Sequence, residues 1–153
     1  MRSSTPWQAA CSVPDAVGRT EFPTDTLKGI HVLLVEDDDD SRALLETVLR
    51  YWGALVTSVS SAQDAMHTLQ RVKPDVLLSD ISMPHQDGYW LIREVRALPA
   101  DRGGTLPAIA VTALGHPHDV GRTLSAGFQA HLRKPVDTWE LAQTIASLAG
   151  RRT

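Results

Sequence analysis

Five short apolar runs punctuate the chain, at 30–35, 54–59, 75–79, 106–112 and 128–132. Each reads as apolar on both faces, the signature of strands in a parallel sheet covered by helices. Between the runs the apolar spacing lengthens to a helical period. Leu44, Leu45, Val48, Leu49 and Trp52 form one stripe over 41–52. Ala65, Met66, Leu69 and Val72 repeat it over 62–72, and Leu91, Ile92, Val95 and Leu98 over 88–98. Leu141, Ile145 and Leu148 mark 138–149, where Asp137 and Glu140 have the spacing of a capping pair. A helix over 117–126 is the weakest of the set. Pro117 stands at its start, Gly121 inside it and Gly127 after it, and its stripe reduces to Val120 and Leu124. Interior glycine costs about 1 kcal/mol relative to alanine. This is the element expected to rearrange most easily.

Five strand–helix units in alternation predict an α/β doubly wound domain over 29–150. Residues 1–28 carry Pro6, Pro14, Gly18 and Pro23 among Ser, Thr and Asp, with no lasting period, and read as a flexible N-terminal extension. Residues 151–153 read as a tail. In doubly wound sheets, ligands bind beyond the carboxyl ends of the strands. The residues that end each apolar run are therefore the ones to inspect.

Composition narrows the function classes. A chain of 153 residues has room for one full core and little more. A net charge of −3 argues against a general nucleic-acid binder, which would be basic. The acidic residues are concentrated in one unbroken run, Glu36 to Asp40. The single cysteine, Cys11, allows no internal disulfide and fits a reducing compartment. No apolar run approaches the ~20 residues of a membrane span, and Arg2 is not followed by the apolar core of a signal peptide. A cytoplasmic location is the expectation.

The strand ends carry chemistry. Asp80 closes the run 75–79, Glu36 and Asp37 follow 30–35, Thr112 ends 106–112, and Lys134 follows 128–132. Taken singly, each has an ordinary explanation: Asp80 as a helix N-cap, Glu36 and Asp37 as solvated loop charges, Thr112 as a strand end, Lys134 as a surface lysine. Taken together they suggest a phosphoryl-accepting site. Three carboxylates in one place repel one another, and a hard divalent cation, Mg²⁺ or Mn²⁺, would relieve this through oxygen ligands. Asp37 and Asp80 are the expected direct ligands, with Glu36 acting through water and the Ser82 backbone carbonyl completing the set. Asp80 would then be the nucleophile, forming an aspartyl phosphate. Lys134 would neutralise charge on the phosphoryl oxygens and the Thr112 hydroxyl would donate to another.

The motifs Leu34-Val-Glu-Asp37, Ser79-Asp-Ile-Ser-Met-Pro84 with Asp87-Gly88, Val111-Thr-Ala113 and Lys134-Pro135 resemble those of two-component response-regulator receiver domains. The resemblance covers about 29–149. It implies a CheY-like, flavodoxin-like five-stranded parallel sheet in the order 2-1-3-4-5, and Mg²⁺-dependent phosphoryl transfer to Asp80 from a histidine kinase or histidine phosphotransfer protein. It makes Glu36 and Asp37 the acidic pair, Thr112 with Ala113 the switch segment, and Lys134 the phosphate-binding lysine, before a cis peptide at Pro135. Leu27-Lys-Gly-Ile30 and Ala126 to Leu132 are similar to receivers fused behind kinase catalytic domains.

Two positions depart from the pattern. The family often has Tyr or Phe three residues before the lysine, and here His131 stands there. Asp38-Asp39-Asp40 also extends the acidic pair. An aspartate-nucleophile phosphatase would need a second Asp at the position of Ser82. A receiver-like binding module without phosphate sensitivity would not need the full set of Glu36, Asp37, Asp80, Thr112 and Lys134. The expected output is a change in the face of the fourth helix, fifth strand and fifth helix, with His118, Arg122, His131, Arg133 and Trp139 as surface candidates. Its partner is expected to be a downstream protein target, not nucleic acid or membrane, with the chain a monomer or a phosphorylation-dependent homodimer. No output domain is read in these residues.

Overall fold

Strands with apolar side chains on both faces need helices above and below them, and alternation along each strand divides the core into two halves. A computed structural model of the chain describes residues 25–113 and 117–150. Along β1 (His31–Val35), Val32 and Leu34 face one side and Leu33 and Val35 the other. The same division runs through β3 (Val76–Asp80) and β4 (Ala108–Thr112). Leu45, Leu49, Leu141 and Ile145, from α1 (Asp39–Tyr51) and α5 (Thr138–Leu148), close the first side. Ala65, Leu91, Ile92 and Val95, from α2 (Ala62–Leu69) and α3 (Gly88–Arg96), close the second. The remaining elements are β2 (Leu55–Val59), α4 (Pro117–Ala126), β5 (Ala130–Arg133) and a short 3-10 turn at Ala100–Arg102.

All neighbouring strands are parallel, in the order β2-β1-β3-β4-β5. The order reverses after β1, so the chain goes outward to β2 and then crosses back to β3. The carboxyl ends of β1 and β3 therefore meet beside that reversal, where such sheets bind ligands.

The helices begin where side chains can satisfy free backbone N–H groups. Asp38 caps α1, accepting from the Ser41 amide at 2.8 Å, which starts the helix two residues before the stripe does. Ser61, Asp87 and Asp137 cap α2, α3 and α5 in the same way. The Asp137–Glu140 pair read from the sequence is thus a capping contact, with the Glu140 amide donating to Asp137 at 2.9 Å.

Four readings need correction. The strand β2 lies at the sheet edge and is not buried on both faces, because it has only one neighbour; Leu55 is 66% exposed. Leu44 is 64% exposed and takes no part in the core stripe of α1. A 3.6-residue period places it at the margin of the buried arc. On α4 the buried side chain is Thr123, while Leu124 is exposed. Finally, Leu27 belongs to the folded body. It is fully buried, and its amide donates to the Trp52 carbonyl at 2.8 Å, although the sequence placed it in the extension. The extension's residues 1–24 and the tail 151–153 lie outside the described residues.

The weak fourth helix is fastened at its end. The Arg96 guanidinium donates to the carbonyls of Gly127 (2.7 and 3.0 Å) and Gly104 (3.1 Å) and to the Gln129 side chain (3.1 Å). Gly127 sits at φ +128°, a conformation that favours glycine. Arg122 stacks over the Tyr89 ring at 3.9 Å, tying α4 to α3.

Candidate functional site

Strand register brings the run-ending residues to one edge. Val35 pairs with Ser79, Asp80 with Val111, and Thr112 with Arg133. Glu36, just past β1, Asp80 and Thr112, at the ends of β3 and β4, and Lys134, just past β5, consequently gather at the carboxyl edge of the sheet.

Glu36 is 1% exposed, and both carboxylate oxygens are engaged. Oε1 accepts from the Lys134 ammonium at 2.7 Å and Oε2 from the Asp38 amide at 3.2 Å. Its backbone carbonyl accepts from the Arg42 guanidinium at 2.9 Å, and Arg42 also pairs with Asp39. The sequence assigned Glu36 a role through water; the structure makes it the anchor of Lys134 and of the loop entering α1.

Asp80 is 7% exposed, with Oδ1 near the Ser82 amide at 3.4 Å and Oδ2 3.6 Å from the Lys134 ammonium. Burial and the neighbouring Glu36 charge push its carboxyl up to about 6 from an ordinary 3.8, with Lys134 opposing them. Desolvation works against the charge on Lys134. The hydrogen bond to Glu36 and the charges of Asp80 and Glu36 outweigh it, so the ammonium is held above its usual range.

Glu36, Asp37 and Asp80 each offer a carboxylate oxygen within 4.8 Å of the others. An all-oxygen, all-anionic donor set suits a hard divalent cation. The raised carboxyl of Asp80 reflects its burial and the neighbouring Glu36 charge, which Lys134 only partly offsets. The donor chemistry therefore fits such an ion. Ser82 is exposed just past Asp80, and so is Pro135, whose peptide bond with Lys134 is cis.

The loop after Asp80 is fixed by close approach. The Gly88 amide donates to the Ile81 carbonyl at 2.9 Å, and a Cβ on Gly88 would meet the Asp80 carbonyl at 2.7 Å and the Ile81 Cα at 2.9 Å. Only glycine lets the start of α3 press against the chain immediately beyond Asp80. On the other side, the Thr112 hydroxyl lies 2.8 Å from His131 Nε2. Ala113 is an exposed bend, and His118 lies outside the described side chains. An apolar groove lined by Leu44, Val48, Val136 and Leu141 opens beside Lys134, between α1 and the start of α5.

Sequence reasoning located Asp80, Glu36, Asp37, Thr112 and Lys134, and the fold brings them together. It missed Arg42 as the brace of the Glu36 carbonyl and Arg96 as the fastening of α4. Neither has a local signature, since an arginine reads as a surface charge until its acceptors are placed. Asp38 could have been found, because an Asp just ahead of a helical stripe is an N-cap signal.

Residues 32–146 match the response regulator receiver domain family. A 14.6 kDa uncharacterized protein of Leptolyngbya boryana is 44% identical over 120 residues, covering 78% of this chain and 90% of that protein. The sensor histidine kinase RcsC of Salmonella typhi is 33% identical over 140 residues, covering 92% of this chain. The match spans about 14% of that kinase's length. Among solved structures, the receiver domain of a sensor histidine kinase from Pseudomonas aeruginosa superposes with a TM-score of 0.73 at 34% identity, over 80% of this chain and 98% of that one. That structure has a magnesium ion coordinated in its active-site cleft.

Proposed function

The chain belongs to the response regulator receiver domain family, and we propose that it is a phosphoryl-accepting switch whose acceptor is Asp80. One observation carries this reading: a buried carboxylate, Asp80, lies within reach of both an acidic group fit for a divalent cation and the Lys134 ammonium. Its phosphodonor is a phosphohistidine on a kinase or phosphotransfer protein, as its likeness to receiver segments of sensor kinases supports. A lone pair on Asp80 forms the new O–P bond as the donor's N–P bond breaks and its electron pair returns to the imidazole.

Asp37 and Asp80 would hold a magnesium ion, with the Ser82 backbone carbonyl and Glu36 as further oxygen donors. When bound, the ion supplies positive charge that offsets the phosphoryl oxygens. Lys134 supplies the rest, held in place by Glu36 at 2.7 Å. Preorganised charge of this kind is the main source of rate in phosphoryl transfer. Thr112, and Ala113 after it, face the incoming group from β4. Occupation of Asp80 then shifts the face made by α4, β5 and α5, where a downstream protein binds.

Incubation with a small acyl phosphate and Mg²⁺ should add the mass of one phosphoryl group to the chain. Asp80→Asn should gain none. A wild-type chain that gains no mass under these conditions, or an Asp80→Asn variant that still does, would refute the assignment.

A further inference from the structure

Thr112 is 6% exposed, and its hydroxyl makes one side-chain hydrogen bond among the described residues, to His131 Nε2 at 2.8 Å. The direction of that bond is set by the imidazole tautomer. If Nε2 carries the ring proton, the imidazole donates and the hydroxyl proton is left for another acceptor. If Nε2 carries none, the hydroxyl gives its proton to the ring.

A hydroxyl has one proton to give. We infer that His131 is a positioning residue that retains the Thr112 hydroxyl, so that Nε2 and a phosphoryl group on Asp80 compete for the same hydrogen bond. This rests on the phosphoacceptor reading above. It adds a cost to occupying Asp80 that an aromatic hydrocarbon at position 131 would not impose. Strand register fixes the competition. His131 pairs with Ala110, which places its ring on the same sheet face as Thr112, two residues further along. Thr112 lies one residue beyond Val111, the partner of Asp80. The threonine stands on β4, the strand between those of the acceptor and the imidazole, and when its hydroxyl donates to one it does not donate to the other.

The probe is beryllofluoride with Mg²⁺, titrated against the full chain and followed by amide spectra. His131→Phe, which cannot accept, should bind it roughly 2- to 10-fold more tightly than wild type, the factor one hydrogen bond is worth. His131→Gln, whose terminal oxygen can accept from the hydroxyl at similar reach, should stay near wild type. In a Thr112→Val background, Phe and His at position 131 should bind alike. The ring nitrogens of wild-type His131 should report an unprotonated Nε2 before the probe is added. Equal midpoints for wild type and His131→Phe would overturn the inference, as would the same gain appearing without the threonine hydroxyl. Absence of any beryllofluoride binding by wild type would instead remove the phosphoacceptor reading and this inference with it.

Discussion

Lys134 Nζ lies 2.7 Å from Glu36 Oε1 and only 3.6 Å from Asp80 Oδ2, so one ammonium serves two buried carboxylates from two different strands. The closer contact is with the carboxylate that is not the proposed acceptor. Glu36 thus holds the lysine, and Asp80 shares its charge.

Removing the lysine should leave Glu36 as a buried, uncompensated charge. Lys134→Met is expected to cost about 2 kcal/mol at neutral pH, below the usual figure for a fully buried pair because the lysine is 25% exposed. Urea unfolding checks this. Added Mg²⁺ should restore part of the loss, and a variant as stable as wild type in EDTA would contradict the role given to Glu36.

Asp80 gives the pH dependence. Its folded carboxyl, at about 6, stands above its ordinary 3.8 because of burial and Glu36. The folded state therefore binds the proton more tightly, and that stabilisation is complete below 3.8 and lost as pH rises through about 6. In EDTA, Asp80→Asn should gain stability relative to wild type across this window and hold the gain above it, by about 2 kcal/mol. A difference that does not change with pH would be the contrary result.

Gly88→Ala should disturb the acceptor without touching its chemistry. The added Cβ falls 2.7 Å from the Asp80 carbonyl, and backbone atoms cannot step aside as a side chain could. A loss of about 1–3 kcal/mol is expected, together with shifted amide resonances at 80–83 in spectra of the folded variant. Unchanged resonances there would rule out the close approach.

Arg96→Ala should loosen the end of α4. It removes the donor to the Gly104 and Gly127 carbonyls and to Gln129, with an expected cost of about 2 kcal/mol. Hydrogen exchange should rise first over 120–129. Exchange that rises evenly over the whole chain would place the clamp elsewhere.

Leu44 and Leu49 separate pattern from packing. Leu49→Ala should cost about 2–5 kcal/mol, since the side chain is fully buried. Leu44→Ser should change stability by no more than about 0.5 kcal/mol, because Leu44 is exposed. Thermal melts of the pair distinguish them.

Periodicity located the five strands and five helices to within a few residues, because apolar spacing is a direct consequence of having a face to bury. It failed where burial depends on neighbours distant in sequence. Leu55 is apolar yet exposed because β2 has one neighbour, and no local pattern records which strand is an edge. Leu27 has no periodic context, but its amide reaches the Trp52 carbonyl.

The sequence by itself determined that Asp80, Glu36, Asp37, Thr112 and Lys134 stand at strand ends, since a run of apolar residues must stop where its chain leaves the core. Only the tertiary structure decided how they pair. Lys134 reaches Glu36 more closely than Asp80, and the Thr112 hydroxyl lies 2.8 Å from His131 Nε2. Those partners are set by parallel register between strands far apart in the chain, and hydrogen bonds form only at the few ångströms that register fixes.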